Sequence, residues 1–343
     1  MISIVEAFNS DDWDSIVKSF ENYDIQYLNM YVRVFANNDE PILLYYDDSN
    51  TKAINVILKR DISKDKVFQG RLPENTFYDV TTPYGYGGWL VEGEYTDNIE
   101  QEYIKFCETQ GFISEFTRFH LINGYESYYS GSLKSNQHNI VRSLNLDLDD
   151  IIKSFEYRVR KDLRKAIKAD LDFEVDTSGQ RLDDFLRIYH STMDRNNARK
   201  DFFFRKDFFE SLNTMIGNYV YFHVLKDNKV VSTELVLYGP DNAYSFLGGT
   251  DREYFSMRPN HFLKYKIIEW CKNKGLKRFV LGGGYGGDDG IFLYKRGFAP
   301  NGIYKFYVGR RIFDKNKYNR LVDIRKSLSY FDENSQFFPL YRS

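Results

Sequence analysis

Near the end of this 343-residue chain, a short apolar run, Arg278 to Leu281, opens into Leu281-Gly-Gly-Gly-Tyr-Gly-Gly-Asp-Asp-Gly-Ile-Phe-Leu-Tyr-Lys-Arg-Gly-Phe298. Six closely spaced glycines leave backbone groups uncovered by side chains, which suits a place where something other than protein approaches the main chain. Asp288 and Asp289 then begin a helix-like stretch that carries Lys295. A bare backbone, a carboxylate and an amine together suit a reaction in which negative charge develops on an oxygen: donors and a cation stabilise it, and a carboxylate orients the cation or takes a proton. The plain alternatives are a tight glycine turn, an aspartate that caps a helix and a solvated helix lysine.

Gly282, Gly284 and Gly287 also satisfy G-x-G-x-x-G between a strand and a helix, the spacing of a dinucleotide fingerprint. Too few residues follow Gly287 to complete a doubly wound nucleotide domain, and no acidic residue about 20 positions on ends a second strand. Two aspartates at the helix start would repel a pyrophosphate that the helix dipole should attract. The dinucleotide reading is rejected.

Other side chains with chemical potential are spread along the chain, each with two readings. Asp79, beside an exposed loop, is a base candidate or fixes that loop through backbone amides. Tyr84 and Tyr86 alternate with glycines, which presents two rings for stacking on a sugar or nucleotide or merely caps a tight turn. Phe116, Arg118 and His120 share one face of a strand by period-two alternation. Arg118 contacts a phosphate or pairs with a buried carboxylate; His120 shuttles a proton or is a satisfied strand histidine. Arg195, on a helix after Thr192 and Met193, binds substrate or is an exposed helix arginine. In Phe155 to Lys168, Phe155, Val159, Leu163 and Ile167 recur at four-residue spacing, whereas Arg158, Lys161, Lys165 and Lys168 line the other face. That basic face suits a tRNA acceptor stem, anionic lipid headgroups or plain solvent.

Composition bounds the rest. The length favours two domains, and 28 tyrosines and 29 phenylalanines, within an aromatic content of 17%, are enough to fill two cores. A net charge of -2 excludes attraction of nucleic acid by the molecule as a whole and leaves only local patches. No window approaches about 18 uninterrupted apolar residues and no targeting signal opens the chain, so a cytoplasmic location without a transmembrane segment is expected. Cys107 and Cys271 read as small buried hydrophobes in amphipathic helices. The five histidines show no metal spacing, so no metal is expected.

The elements that position these residues repeat one programme of hairpin, strand, helix and strand. In the first half Ile42 to Tyr46 and Ala53 to Lys59 flank the turn Asp47-Asp-Ser-Asn50, followed by a strand at Phe77 to Val80, a helix at Asn98 to Gln110 and a strand at Ile113 to Ile122. In the second half Tyr219 to Leu225 and Val230 to Tyr238 form a hairpin, with a strand at Tyr244 to Gly248. A helix opened by Pro259 and ended by Gly275 follows, then the strand Arg278 to Leu281. Ser154 to Leu171 and Leu182 to Ile216 read as helical, and Ile140 to Leu146 as a strand. The domain boundary is expected near 150, giving domains 1–150 and 151–343.

Specific strings carry a resemblance over nearly the whole chain: Tyr78-Asp-Val-Thr-Thr-Pro-Tyr-Gly-Tyr-Gly-Gly88, Glu115-Phe-Thr-Arg-Phe-His120, Tyr189-His-Ser-Thr-Met-Asp-Arg-Asn-Asn-Ala198, and Leu281-Gly-Gly-Gly284 with Asp289 and Lys295-Arg-Gly-Phe298. The sequence resembles FemABX-type tandem GNAT acyltransferases. The resemblance implies an α/β fold of two GNAT-like domains in tandem, with mixed sheets flanked by helices. It further implies an enzyme that transfers an acyl or aminoacyl group to an amine on a cell-envelope precursor, with acceptor on the first domain and donor on the second. Lys295 corresponds to the family lysine that stabilises developing charge; Asp289 and Asp79 are the further catalytic candidates. Tyr84, Tyr86, Arg118, His120, Arg195, Gly283 and Gly284 are the substrate-binding candidates. The leading version takes acyl-CoA as donor and a sugar or peptidoglycan precursor as acceptor. The others are an aminoacyl-tRNA donor, with tRNA as partner, and a scaffold of polysaccharide assembly without catalysis. Two departures stand out: no heptad arm separates the halves, and Ser256-Met-Arg-Pro-Asn260 occupies the place of the glycine-rich pyrophosphate loop.

Overall fold

A computed structural model of the chain describes residues 2–286, 289–328 and 331–343; Gly287 and Asp288, which belong to the glycine fingerprint and the aspartate pair, lie outside the described residues. In chain order the first elements are β1 (Ile2–Glu6), α1 (Ser10–Lys18), α2 (Asn29–Ala36), β2 (Glu40–Asp47), β3 (Thr51–Asp61), β4 (Tyr78–Thr81), β5 (Leu90–Gly93), α3 (Asp97–Thr109), β6 (Phe112–Arg118) and β7 (Ser132–Ser143). Then come α4 (Leu148–Lys153), α5 (Tyr157–Ile167), β8 (Asp172–Asp176), α6 (Leu182–Arg195), α7 (Lys206–Leu212), β9 (Tyr219–Lys226), β10 (Lys229–Tyr238) and β11 (Asn242–Thr250). The chain closes with α8 (Pro259–Asn273), β12 (Arg278–Gly282), α9 (Gly290–Arg296), β13 (Ile303–Ile312) and α10 (Lys315–Lys326). Two compact units result, Met1–Asn136 with Phe306–Ser343, and Gln137–Lys305.

In the first unit the strand order is β1-β2-β3-β4-β6-β13, with β5 paired to β3. Every step is antiparallel except β4 to β6, which is parallel. Ile42, Leu44, Ile57, Val80, Ile99, Tyr103 and Phe112 pack its main core. The second unit has the order β8-β9-β10-β11-β12-β7, again antiparallel except for one step, β11 to β12. The expected duplication is therefore a shared programme of pairings, and the fold is α/β with mixed sheet in each unit.

The closing strand of each sheet comes from beyond its own half of the sequence. Val308 to Ile312 of β13 pair with Ser114 to Arg118 of β6, and Tyr318, Leu321 and Tyr341 share a core with Ile62, Phe68 and Ile113. The C-terminal residues, placed with the second half by the sequence reading, thus complete the first unit. Likewise β7 pairs with β12 through Ile140 to Ser143 in the second unit.

β10 is buried at each position from Val230 to Tyr238, because α6 packs on β10 and β11 while α8 packs on β9, β10 and β11. α8 begins at Pro259, whose preset φ suits a first helical turn, and stops where Gly275 adopts φ +82°. The stretch Leu182 to Ile216 is two helices rather than one: Asn197 takes φ +48° and ends α6. Cys107 and Cys271 are free and fully buried, as small hydrophobes. No helix among the described residues is long and apolar enough to cross a membrane.

The tightest backbone approach near the open end of β11 is at Gly248, where a Cβ would lie 2.5 Å from the Thr233 carbonyl oxygen. Neither strand can yield without breaking the ladder. Gly248→Ala is expected to cost about 1–3 kcal/mol, read as a lowered urea midpoint with an unchanged slope.

Candidate active site

The parallel pairing of β11 with β12 is short. It joins Asn242, Ala243 and Tyr244 to Arg278, Phe279 and Val280, whereas β11 continues to Thr250 and β12 ends at Gly282. Along its other edge β11 stays bonded to β10, with a bulge where the register passes from Leu247 to Ser245 and skips Phe246. From Ser245 onward β11 is no longer paired with β12, and the glycine segment forms one lip of the opening between the two strands.

Asp289 organises that segment. Its Oδ1 accepts from the amide of Phe292 at 2.8 Å, capping α9, while Oδ2 accepts from the amides of Tyr285 and, at 3.3 Å, Gly286. A Cβ at Gly284 would come within 2.3 Å of Oδ1, so the glycine makes room for the carboxylate. Burial raises the carboxyl's pKa, but these amide bonds outweigh it and hold the group below its ordinary range. Both oxygens are engaged, which fits the capping reading of Asp289 better than a base.

Lys295, on the last turn of α9, donates from Nζ to the carbonyl of Gly283 at 2.6 Å. A Cβ on Gly282, which holds φ +79°, would meet the same Nζ at 3.4 Å. Burial first, then the charge of Lys264, pulls the Lys295 pKa down to about 8, while Glu234 and Asp289 oppose. Gly283, Gly284, Asp289 and Lys295 are thus brought into one small site, with an amine whose proton is labile near neutrality. Arg195 sits at the far end of β11, donating to the Thr250 carbonyl at 3.2 Å and to Thr192 Oγ1 at 3.3 Å, over the ring of Phe255.

Two charged residues at this opening escaped the sequence reading. Lys264 on α8 donates to both carboxylate oxygens of Glu234 on β10 at 2.6 Å and to Ser245 Oγ at 3.2 Å. Glu234 had a signal, a lone charge inside the apolar run Val230 to Tyr238; Lys264 had none, flanked as it is by core residues of α8.

In the first unit the candidates around the Thr81 to Gly88 loop also converge. The loop docks on the end of β6, with the Gly87 amide donating to the Arg118 carbonyl at 2.7 Å and the His120 amide donating to the Gly87 carbonyl at 2.8 Å. Tyr84 stacks on Phe35 at 5.3 Å, its carbonyl accepting from the Tyr31 hydroxyl at 2.9 Å. Tyr86 meets His120 and Phe306 edge-on. Arg118 lies over the Phe116 ring at 4.9 Å and makes no ion pair with a described residue. Burial, then repulsion by Arg60, lowers its pKa, with Tyr84 and Tyr31 opposing, so an arriving anion would relieve it. His120 is buried with Nε2 3.2 Å from Asp24 Oδ2 and Nδ1 accepting from the Ile122 amide at 3.4 Å, which fits a satisfied histidine.

Asp79 lies apart from that loop's rings, in an ion cluster. It is fully buried and accepts from Arg60 Nε at 2.7 Å, Arg342 Nε at 2.8 Å and the Tyr341 hydroxyl at 2.7 Å. Burial raises its pKa, yet the two guanidiniums outweigh this and keep it ionised below the ordinary range. Its partners are side chains that tie the C-terminus to β3 and β4, not loop amides and not an open proton path.

Residues 153–296 match the family model of the acetyltransferase (GNAT) domain. Among curated proteins none matches the chain in sequence. Among solved structures, FemX superposes with a TM-score of 0.69 at 13% identity, covering 93% of this chain and 99% of its own. The C-terminal domain of a protein assigned as a lysylphosphatidylglycerol synthetase of Agrobacterium fabrum gives 0.54 at 12% identity, covering 89% and 92%. L-PGS from Bacillus licheniformis gives 0.54 at 11% identity, covering 92% and 96%. The fold of FemX is thus shared along nearly the whole chain, and residues 153–296 carry a GNAT acetyltransferase domain, so the chain is an enzyme of acyl transfer.

Asp79→Asn leaves the half-buried Arg60 without its anion and Arg342 with Asp65 alone, so a loss of about 3 kcal/mol is expected at neutral pH. The wild-type carboxylate stabilises above its unfolded pKa, about 3.9, and loses that contribution as pH falls through its lower folded value. Wild type and variant should therefore converge in stability under acid, measured by chemical denaturation at pH 7 and pH 3.

Proposed function

We propose that this protein transfers an acyl group from acyl-CoA to an amine of a cell-envelope glycan or of a nucleotide- or lipid-linked sugar precursor, working in the cytoplasm. The observation that carries the reading is the parting of β11 from β12 with the Lys295 amine at its lip. An extended, amide-bearing arm such as that of a CoA thioester can lie along the uncovered edge of β11 as an added strand. The acceptor nitrogen attacks the thioester carbonyl, the carbonyl oxygen becomes an oxyanion, and the C–S bond then breaks. The thiolate leaves and is protonated, while the nitrogen gives up its proton to solvent. In this scheme the Lys295 ammonium, fixed by Gly283, stabilises the oxyanion, and Asp289 holds the glycine loop around it. Domain roles follow the same division: donor and chemistry on the second unit, and acceptor on the first, where Arg118 suits a phosphate and Tyr84 and Tyr86 suit a sugar or base face. The name of one similar structure, a domain assigned to a lysylphosphatidylglycerol synthetase, supports an envelope acceptor.

A second reading, an aminoacyl-tRNA donor, is favoured by α5 and by the entry to α8. Arg158, Lys161, Arg164, Lys165 and Lys168 are exposed and form no ion pair with a described residue. Where a pyrophosphate loop would lie, Pro259 supplies no amide, and Arg258 is bound to Asp162 at 3.1 Å. Native mass spectrometry of the gently purified protein separates the two: a bound CoA thioester supports the first, and tRNA with neither CoA nor acyl-CoA overturns it. If tRNA is the donor, reversing the charges of Lys161, Arg164 and Lys168 should reduce the salt dependence of its binding.

Lys295→Ala is expected to lower kcat/KM by about 10²- to 10³-fold, the usual loss for one oxyanion donor, with the fold intact by circular dichroism. Because the cationic form is the active one, wild-type activity should fall as pH rises through about 8. Lys295→Arg, which stays charged, should abolish that alkaline limb even if its rate is low.

A further inference from the structure

Glu234 and Lys264 form an ion pair in which both partners are more than nine-tenths buried. The Lys264 ammonium lies 5.3 Å from the ring centroid of Phe279, a member of the unit's apolar core. Dehydrating two charges in such a place costs several kcal/mol per ion, and an apolar pair of similar volume commonly serves stability as well or better. Packing therefore does not account for the pair. Its third bond does suggest a role, because Lys264 also holds Ser245, the first residue of β11 beyond the stretch paired with β12. The opposite lip carries Lys295 on Gly283.

We propose that Glu234 and Lys264 are positioning residues for acyl transfer: they pin β11 where the strands part and set a fixed positive charge against the Lys295 ammonium. The inference rests on the function proposed above for Lys295.

The charged groups facing Lys295 are Lys264 from α8, Glu234 from β10 and Asp289 from the entry to α9. From β7 the neutral Asn139 amide approaches Gly282, the same glycine that Lys295 Nζ approaches. Neither carboxylate is available to neutralise Lys295. Both oxygens of Glu234 are taken by Lys264, and both of Asp289 by backbone amides. Lys264 is thus a cation opposed to Lys295 whose own counterion points elsewhere. The arrangement keeps the Lys295 proton labile and its amine uncommitted to a carboxylate, as a group that must stabilise transient charge requires.

Replacing Lys264 by methionine removes the opposing charge and leaves Glu234 to attract Lys295 or to take up a proton itself. In either case Lys295 should hold its proton more tightly. The experiment is a pH titration of the full chain carrying ¹³Cε-labelled lysine, with the Lys295 resonance identified by its absence in Lys295→Arg. Wild-type Lys295 is expected to titrate near 8, and in Lys264→Met to move up toward the ordinary lysine value of about 10.4. If Lys264→Met does not fold, the neutral pair Glu234→Gln with Lys264→Met gives a smaller upward movement, because the loss of Glu234 offsets part of the loss of Lys264. An unchanged Lys295 titration in a folded variant overturns the proposal, since a purely structural pair would alter the melting temperature alone. The transfer rate is read separately. An alkaline limb that follows the shifted titration supports both inferences. A titration that moves while the rate profile does not upholds the pair and overturns the role given to Lys295.

Discussion

Where the parallel ladder between β11 and β12 stops decides the chemistry of the second unit. Three residue pairs hold the strands together, and beyond Tyr244 and Val280 the two backbones separate. A strand that loses its neighbour must hand its main-chain groups to something else, since buried amides and carbonyls are costly to leave unpaired. β12 resolves this by turning at once into a glycine segment in which the Tyr285 and Gly286 amides bind Asp289 and the Gly283 carbonyl receives Lys295. β11 resolves it on one side through β10 and leaves the other edge open. The glycines, the cap, the amine and the Glu234–Lys264 pair are all consequences of that divergence.

The first unit follows the same pairing programme and uses it differently. There β4 and β6 form the parallel step, and the chain beyond β4 does not depart: Thr82 and Gly87 continue along β6 through bonds to Phe116, Arg118 and His120. The unit's own loop fills the position that stays open in the second unit. Rings carried by that loop pack on Phe35, His120 and Phe306, so one pairing programme yields an aromatic cluster beside Arg118 of β6 in one unit and parted strands with a half-buried amine in the other.

Buried charge marks both units, for different reasons. The Asp79 cluster joins Arg60 to Tyr341 and Arg342, residues far apart in sequence, and holds the returning C-terminus in place. Such a cluster is a structural lock, and it explains why a carboxylate next to a functional-looking loop is not itself open to a substrate. Glu234 and Lys264 join no distant segments that the core does not already join, and their extra bond goes to the open strand.

The hairpins, the helix from Pro259 to Gly275 and the strand into the glycine run were legible in the sequence. Each is dictated by local patterning: period-two alternation, a proline that opens a helix, a glycine that ends one. The glycine run with Asp289 and Lys295 was legible for the same reason, since all its members lie in one continuous stretch between β12 and the end of α9. Other features were set only by tertiary structure. Residues 306–343 complete the first unit because β13 finds its partner in β6, a match between surfaces that no local pattern reports. Asp79 became a lock because two arginines, one from the far end of the chain, reach it in three dimensions. Lys264 meets Glu234 across a helix-to-sheet contact thirty residues apart. Local sequence determined which backbone would be bare and which side chains could act there. Only the packing of distant segments decided which charges would be neutralised, and so which amine was left with a loosely held proton.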